Sequence, residues 1–365
     1  MDPIANIVPN YQDLPFPAPL WLLQILLIVG FFTHVVPMNV ALAGGAVSSI
    51  LLGNKEGSHA HKAGRQLAFS LPFFTSLAIT QGIVPLLFLQ LIYGPAFYSS
   101  SILMAVPWIL ILVFLLIGYY AQYIYKFNGD KFGKAAPIFL VISSFLFLII
   151  AFIFVNNMTL MLNPSEWLEL AKKGTSGINL NLNDPQIIPR FLHFAISSIA
   201  ITGIALGGFG LYYQKKDKDY AHWLYKTGSG IYAAVTLLQL GFGTWFLLSL
   251  PLERAMLFIK GGGLATASFH SSMLFMIVSL VFSVLVLIKP SKVKFIGALI
   301  SSLVTVLLMI VMRHFLRVWS LEGALDPGIV PVQIQWDWLV IFGVLTVGVI
   351  FYIGWLIKIC LKANK

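Results

Sequence analysis

The sequence predicts an all-α, polytopic integral membrane helix bundle with about nine transmembrane helices, and two observations predict it. Of 365 residues, 59% are hydrophobic and only 10% are charged, against roughly 45–50% and about 25% in soluble domains. Apolar runs long enough for a hydrocarbon core of about 30 Å, which takes about 20 residues, recur at approximately 18–52, 67–94, 101–126, 135–160, 188–213, 227–250, 261–288, 294–318 and 335–360. No strand-like alternation competes with them. So few ionic groups cannot coat a water-facing surface, which excludes a soluble enzyme. In a soluble chain the net charge of +10 would point to nucleic acid. Here the basic residues cluster between apolar runs, where they orient helices in lipid, so no nucleic-acid partner is expected.

Taken in order, the spans are separated by connections of alternating charge. The loop after the first carries Lys55, Lys62 and Arg65. Connections of the same parity carry Lys126, Lys131 and Lys134, then Lys215, Lys216, Lys218 and Lys226, then Lys289, Lys292 and Lys294, and the tail adds Lys358, Lys362 and Lys365. The N-terminal segment has Asp2 and Asp13 without a basic residue, and the link between the second and third spans is uncharged; Lys172, Lys173, Arg254 and Lys260 break the alternation. The pattern predicts the N-terminus outside and the C-terminus in the cytoplasm, in one membrane domain over 1–365. The segment 161–189 is an outer-side loop, and its Asn179–Asn183 stretch with Pro185 and Pro189 reads as irregular. Ala41-Leu42-Ala43 looks like a leader-cleavage site, but a leader wants a basic start and none precedes Lys55. Gly203, Gly207, Gly208 and Gly210 of the fifth span have two readings: close helix packing, or room for a flat cofactor.

Ionisable groups inside a bilayer are costly, so their distribution is informative. All thirteen acidic residues lie in loops or near span ends, which leaves no membrane carboxylate for a proton-coupled pump. Four histidines do lie within spans: His34, His193, His270 and His314. Neutral imidazole ligates transition metals and haem iron. Each histidine alone could equally be a packing residue; the set without carboxylate partners favours ligation. His193 and His314 lie near the outer ends of their spans, with His270 and His34 deeper. Arg190 precedes His193 by one turn, and Arg313 and Arg317 bracket His314, where guanidinium forks suit haem propionates; the alternative is snorkelling to the interface. Met273 and Met38 are further thioether candidates. His59, His61 and His222 read as solvated loop residues. The single cysteine, Cys360, rules out an internal disulfide, a Cys-based zinc site and covalent c-type haem attachment.

At these residues the chain resembles the haem-bearing subunit I of cytochrome bd-type quinol oxidases, and more closely the shortened bd-like membrane cytochromes. Phe32-Thr-His34-Val-Val-Pro37 is similar to the family's first-helix histidine motif, and Arg190-Phe-Leu-His193-Phe to its fifth-helix ligand. His314-x-x-Arg317-x-Trp319 is similar to a Glu-x-x-Arg stretch, with His in place of Glu, and Pro331-Val-Gln-Ile-Gln335-Trp336 resembles the shortened branch. The resemblance implies haem ligands in the first, fifth, seventh and eighth spans. It implies one to three b-type haems, quinone as substrate and a bacterial cytoplasmic (inner) membrane. The chain departs from the oxidases in offering His270 or Met273 where they place a methionine, and His193 with His270 is the favoured pair. Its third span lacks the oxidases' proton-delivering glutamates, and the sixth-to-seventh connection is reduced to about Pro251–Lys260. The resulting expectation is a haem b-binding membrane cytochrome, an oxidoreductase passing electrons between the quinone pool and an outer-face redox partner such as a c-type cytochrome. A bd-like quinol:oxygen oxidase and a cofactor-free transporter or assembly protein are the alternatives.

Overall fold

The computed structural model describes residues 15–172 and 177–363. Among them the helices are α1 (Leu20–Leu52), α2 (His59–Leu103), α3 (Ala105–Phe132), α4 (Ile138–Met161), α5 (Trp167–Lys172), α6 (Ile187–Tyr213), α7 (Lys218–Ser249), α8 (Leu252–Lys260), α9 (Gly263–Ile288), α10 (Lys292–Leu321) and α11 (Trp336–Ala363). Nine of the described helices are long and apolar enough to cross a membrane. Each coincides with a span expected from the sequence. The only β pairing among the described residues is one isolated bridge, between Phe16 and Val332. Helices dominate because hydrocarbon offers no partner to a free backbone N–H or C=O, and a helix satisfies both internally. The chain is a multi-pass membrane protein.

The helices run up and down, so alternate connections gather at opposite ends. At one end, here the lysine end, the Ser49 hydroxyl donates to the Pro137 carbonyl, Lys62 bridges Asp217 at 3.2 Å, and Tyr225 stacks on Phe295. Helix starts at this end are capped by side chains: Ser58, Asp217 and Ser291 accept from the backbone N–H groups of His61, Tyr220 and Lys294. The Tyr220 N–H, more than the Lys62 ammonium, holds the Asp217 carboxyl below the usual carboxylate range. The opposite, loop end is closed by an apolar cluster of Phe16, Tyr93, Phe97, Met104, Leu160, Trp167, Leu321 and Val330. Backbone bonds from Phe16 to Pro331 and from Gln333 to Phe16 fasten the chain there.

Two hairpins, α1 with α2 and α6 with α7, form the most intimate helix pairs; α1 also touches α4, α6 and α10 and so occupies the centre. Glycines let α6 and α7 approach. A Cβ on Gly228 would stand 2.6 Å from the Gly207 nitrogen and closer still to the Gly203 carbonyl oxygen. Gly207 and Gly210 meet Phe295 and Tyr225 in the same way, whereas Gly208 has nothing within 4 Å. Three of the four glycines singled out in this span therefore serve packing. Between α2, α3 and α4 a buried relay of Thr75, Gln122 and Ser143, at 2.9 and 3.0 Å, ties the helices with polar bonds that lipid cannot replace.

Three segments differ from the expected outline. α2 continues past residue 94 to Leu103, bending at Tyr93 (φ −125°, ψ 29°) just before Gly94 and Pro95. Pro95 has no N–H for an earlier carbonyl and disfavours helical geometry before it, while buried Ala96 and Phe97 hold the next turns in the apolar cluster. The segment 161–189 is only partly irregular: it holds a 3-10 turn, Pro164–Glu166, and α5, anchored by the Trp167 indole donating to the Leu160 carbonyl. The sixth-to-seventh connection is α8, which buries Ala255 and Phe258. α11 stands at the edge, with none of its described side chains buried and only Leu339 against the core.

The α6–α7 contact gives a direct test. Gly228→Leu is expected to lower stability by about 3 kcal/mol or more, the upper range for overpacking, seen as a large drop in thermal midpoint in detergent. Gly208→Ala, in open space, should leave the midpoint in place.

Candidate functional site

His34 lies on α1 against α2. Its Nδ1 is 2.8 Å from the Ala78 carbonyl oxygen. A carbonyl only accepts, so Nδ1 carries the proton and Nε2 keeps its lone pair. One turn along α2, Gly82 lies against the ring: a Cβ there would stand 2.9 Å from Nδ1 and Cε1. The Phe31 ring is 6.0 Å from the imidazole, and the Arg313 guanidinium of α10 sits 4.1 Å over Phe31.

A similar arrangement recurs on α6 and α7. Gln239 donates from Nε2 to the His193 carbonyl at 2.6 Å. One turn further, a Cβ on Gly243 would stand 3.3 and 3.4 Å from Cε1 and Nδ1 of the His193 ring, and Phe246 lies 6.1 Å from it. Arg190, only 7% exposed, donates to Gln186 at 2.8 Å and sits 5.0 Å over Phe246. Each histidine thus has a glycine of its hairpin partner against the ring, and a nearby phenylalanine whose other neighbour is an arginine. His193 Nδ1 and Arg190 Nε are buried without a hydrogen-bond partner.

α10 supplies the third histidine and two cations. The His314 Nδ1 is likewise buried and unpartnered. Arg317, 7% exposed, sits 5.2 Å over the ring of buried Tyr93 at the bend of α2. Arg313 is close enough to feel the charges of both Arg317 and Arg190, so the three guanidinium groups form one positive region. No carboxylate pairs with it: the ion pairs among the described residues are Lys62–Asp217, Arg65–Asp130 and Lys172–Glu169. Asp184 is felt by Arg190 only from beyond ion-pair distance. Magnitudes decide what this implies. Removing a cation from water costs several kcal/mol even after relaxation, whereas a desolvated cation–π contact returns about 2 kcal/mol. Aromatic faces alone leave the region short of negative charge, and a ligand bearing carboxylates fits it.

Other candidates stand apart. His270 is exposed, and its Nε2 donates to the Ile259 carbonyl of α8 at 3.1 Å, which leaves Nδ1 as its uncommitted ring nitrogen. Met273 is half-buried on α9. His59 and His61, expected in a solvated loop, form the first turn of α2. His59 packs edge-on against Tyr220 and Trp223, and His61 meets the Leu52 carbonyl at 3.1 Å. Cys360 lies on α11, where its side chain is outside the described residues. Among the described residues no three His, Cys, Asp or Glu groups gather as a metal site; haem iron takes only one or two protein ligands, so single imidazoles with a free nitrogen suffice. The sequence reading missed Ala78, Gly82, Gln239, Gly243, Phe31, Phe246 and Tyr93. Gly82 and Gly243 carry the only signal, a missing side chain in an apolar helix, and they share it with the packing glycines.

The sequence matches no protein-family model and no curated protein.

Gly82→Ala tests whether the His34 ring depends on this contact. A methyl placed 2.9 Å from the ring must displace it, and the Nδ1–Ala78 bond with it. The expected outcome is a folded protein of unchanged helix content by circular dichroism, with altered His34 imidazole signals in nitrogen-15 NMR; unchanged signals would show that the ring has room.

Proposed function

We propose that this chain is a haem b-binding membrane cytochrome of the bd-like kind, passing electrons between the quinone pool and a redox partner at its loop end. The observation that carries the reading is the positive region of Arg190, Arg313 and Arg317, with which no carboxylate pairs among the described residues and which adjoins imidazoles with free nitrogens. Haem brings what both lack: two propionates for the guanidinium forks and an iron that takes imidazole as an axial ligand. When bound, it supplies a one-electron couple.

The chain's own residues do the rest. His34 offers Nε2, oriented by the Ala78 carbonyl and Gly82. His193 and His314 offer further imidazole nitrogens, and His193 sits in a separate hairpin from His34, which supports more than one haem. The arginines orient propionates and raise the potential by stabilising the reduced state, while Phe31, Phe246 and Tyr93 keep the guanidinium groups out of water. His270 and Met273 fall outside the proposed ligand set, because His270 is exposed, unlike His34, His193 and His314, and Met273 lies one turn from it on α9. A quinone headgroup as electron donor and a separate c-type cytochrome as acceptor rest on the resemblance.

The test is the dithionite-reduced minus oxidised spectrum of the detergent-purified protein with a pyridine haemochrome assay. A b-type spectrum is expected, with His193→Ala losing low-spin haem signal while the protein still inserts. A colourless, well-folded protein that cannot be reconstituted with haem would overturn the reading, and full haem retention in His193→Ala would remove that ligand. Arg317→Ala withdraws a positive charge that disfavours the oxidised state, so a haem midpoint potential should fall in a redox titration; an unchanged titration argues against propionate contact at Arg317.

A further inference from the structure

We propose that Gln239 is a positioning residue that holds the His193 imidazole with its proton on Nδ1 and its lone pair on Nε2, an inference that rests on His193 being a haem ligand. The orientation of the Gln239 carboxamide is fixed by chemistry. Its near end lies 2.6 Å from the His193 carbonyl oxygen. Only the NH₂ end can donate to a carbonyl, so the amide cannot be flipped. Oε1 is therefore the other end, and it is buried without a donor.

A second orphan lies in the residue that Gln239 bonds. The Nδ1 of His193 is buried and unpartnered, and the Nδ1–Cε1 edge faces α7, where Gly243 follows Gln239 by one turn. A small rotation of the Gln239 carboxamide about its bond to the His193 carbonyl, bringing Oε1 onto a proton at Nδ1, would satisfy both groups at once. With the proton on Nε2, two lone pairs would face each other in a buried space, and the nitrogen pointing away from α7 would have nothing to donate to a metal. The first hairpin solves the same problem with its backbone, through the Ala78 carbonyl on His34. An acceptor on the distal nitrogen also makes an imidazole a stronger donor to its metal, so Gln239 tunes as well as orients.

The experiment compares purified Gln239→Leu, Gln239→Met and His193→Ala with the unaltered protein, reading haem per chain and the midpoint potential of the low-spin component. Both substitutions at Gln239 remove the amide acceptor without adding charge; haem should dissociate about 10–100-fold more readily and the potential of what remains should rise. A merely structural glutamine would lower haem content without raising the potential, or leave both in place, and either result overturns the proposal. If Gln239→Leu does not fold, Gln239→Met, of similar length, decides alone. Full haem retention in His193→Ala instead overturns the ligand assignment on which the proposal rests.

Discussion

The constraint on which this structure turns is the confinement of guanidinium charge in an apolar bundle where, among the described residues, no carboxylate pairs with it. Lipid cannot solvate Arg190 or Arg317, each 7% exposed, and a buried charge persists only where something polar meets it. The bundle answers in part, setting Phe246, Phe31 and Tyr93 beneath the three guanidinium groups and Gln186 beside one. Much else follows from keeping these groups together. α10 must lie near α1 for Arg313 to reach Phe31, and near the bend of α2 for Arg317 to reach Tyr93. α6 must be locked on α7 for Arg190 to reach Phe246.

That lock is a matter of volume. Gly203, Gly207 and Gly228 leave backbone against backbone, the closest approach two helices can make, and so set the spacing at which Gln239 meets the His193 carbonyl. In the other hairpin Gly82 does the same for the imidazole of His34. One small residue type thus has two uses here, admitting a neighbouring helix at some positions and a histidine ring at others. Charge and packing depend on each other: the rings that hold the arginines are placed by the glycines, and the glycines are of use because the rings need exact seats.

The sequence made the architecture legible, because hydropathy is a property of the solvent and reads out span by span with no knowledge of contacts. The boundaries of α1, α4, α6 and α9 lie within a few residues of their apolar runs. It failed where packing rather than solvent sets the limit: Gly94-Pro95 looks like the end of a span, yet the apolar cluster around Phe97 carries the helix on to Leu103. Of the site, the residues with rare chemistry were legible, since a histidine or an arginine in a membrane helix stands out by itself. His270 stands out equally, and its exposure separates it from the others. Ala78, Gln239 and Phe246 stayed hidden because their part is defined by what they touch across a helix interface, and nothing in their own composition marks it.

Both histidine seats are built inside hairpins of consecutive helices: α1 with α2 for His34, α6 with α7 for His193. During synthesis each histidine therefore meets its partner, the Ala78 carbonyl for the His34 ring and the Gln239 amide for the His193 backbone, as soon as the second helix of its hairpin emerges, long before α10 exists. Arg313 and Arg317 arrive later, bringing two of the three cations to seats that are already formed. The chain's order thus separates orientation from charge. A nascent chain holds its rings in place while the electrostatic field that surrounds them is still incomplete, and the finished field appears only when the tenth helix docks.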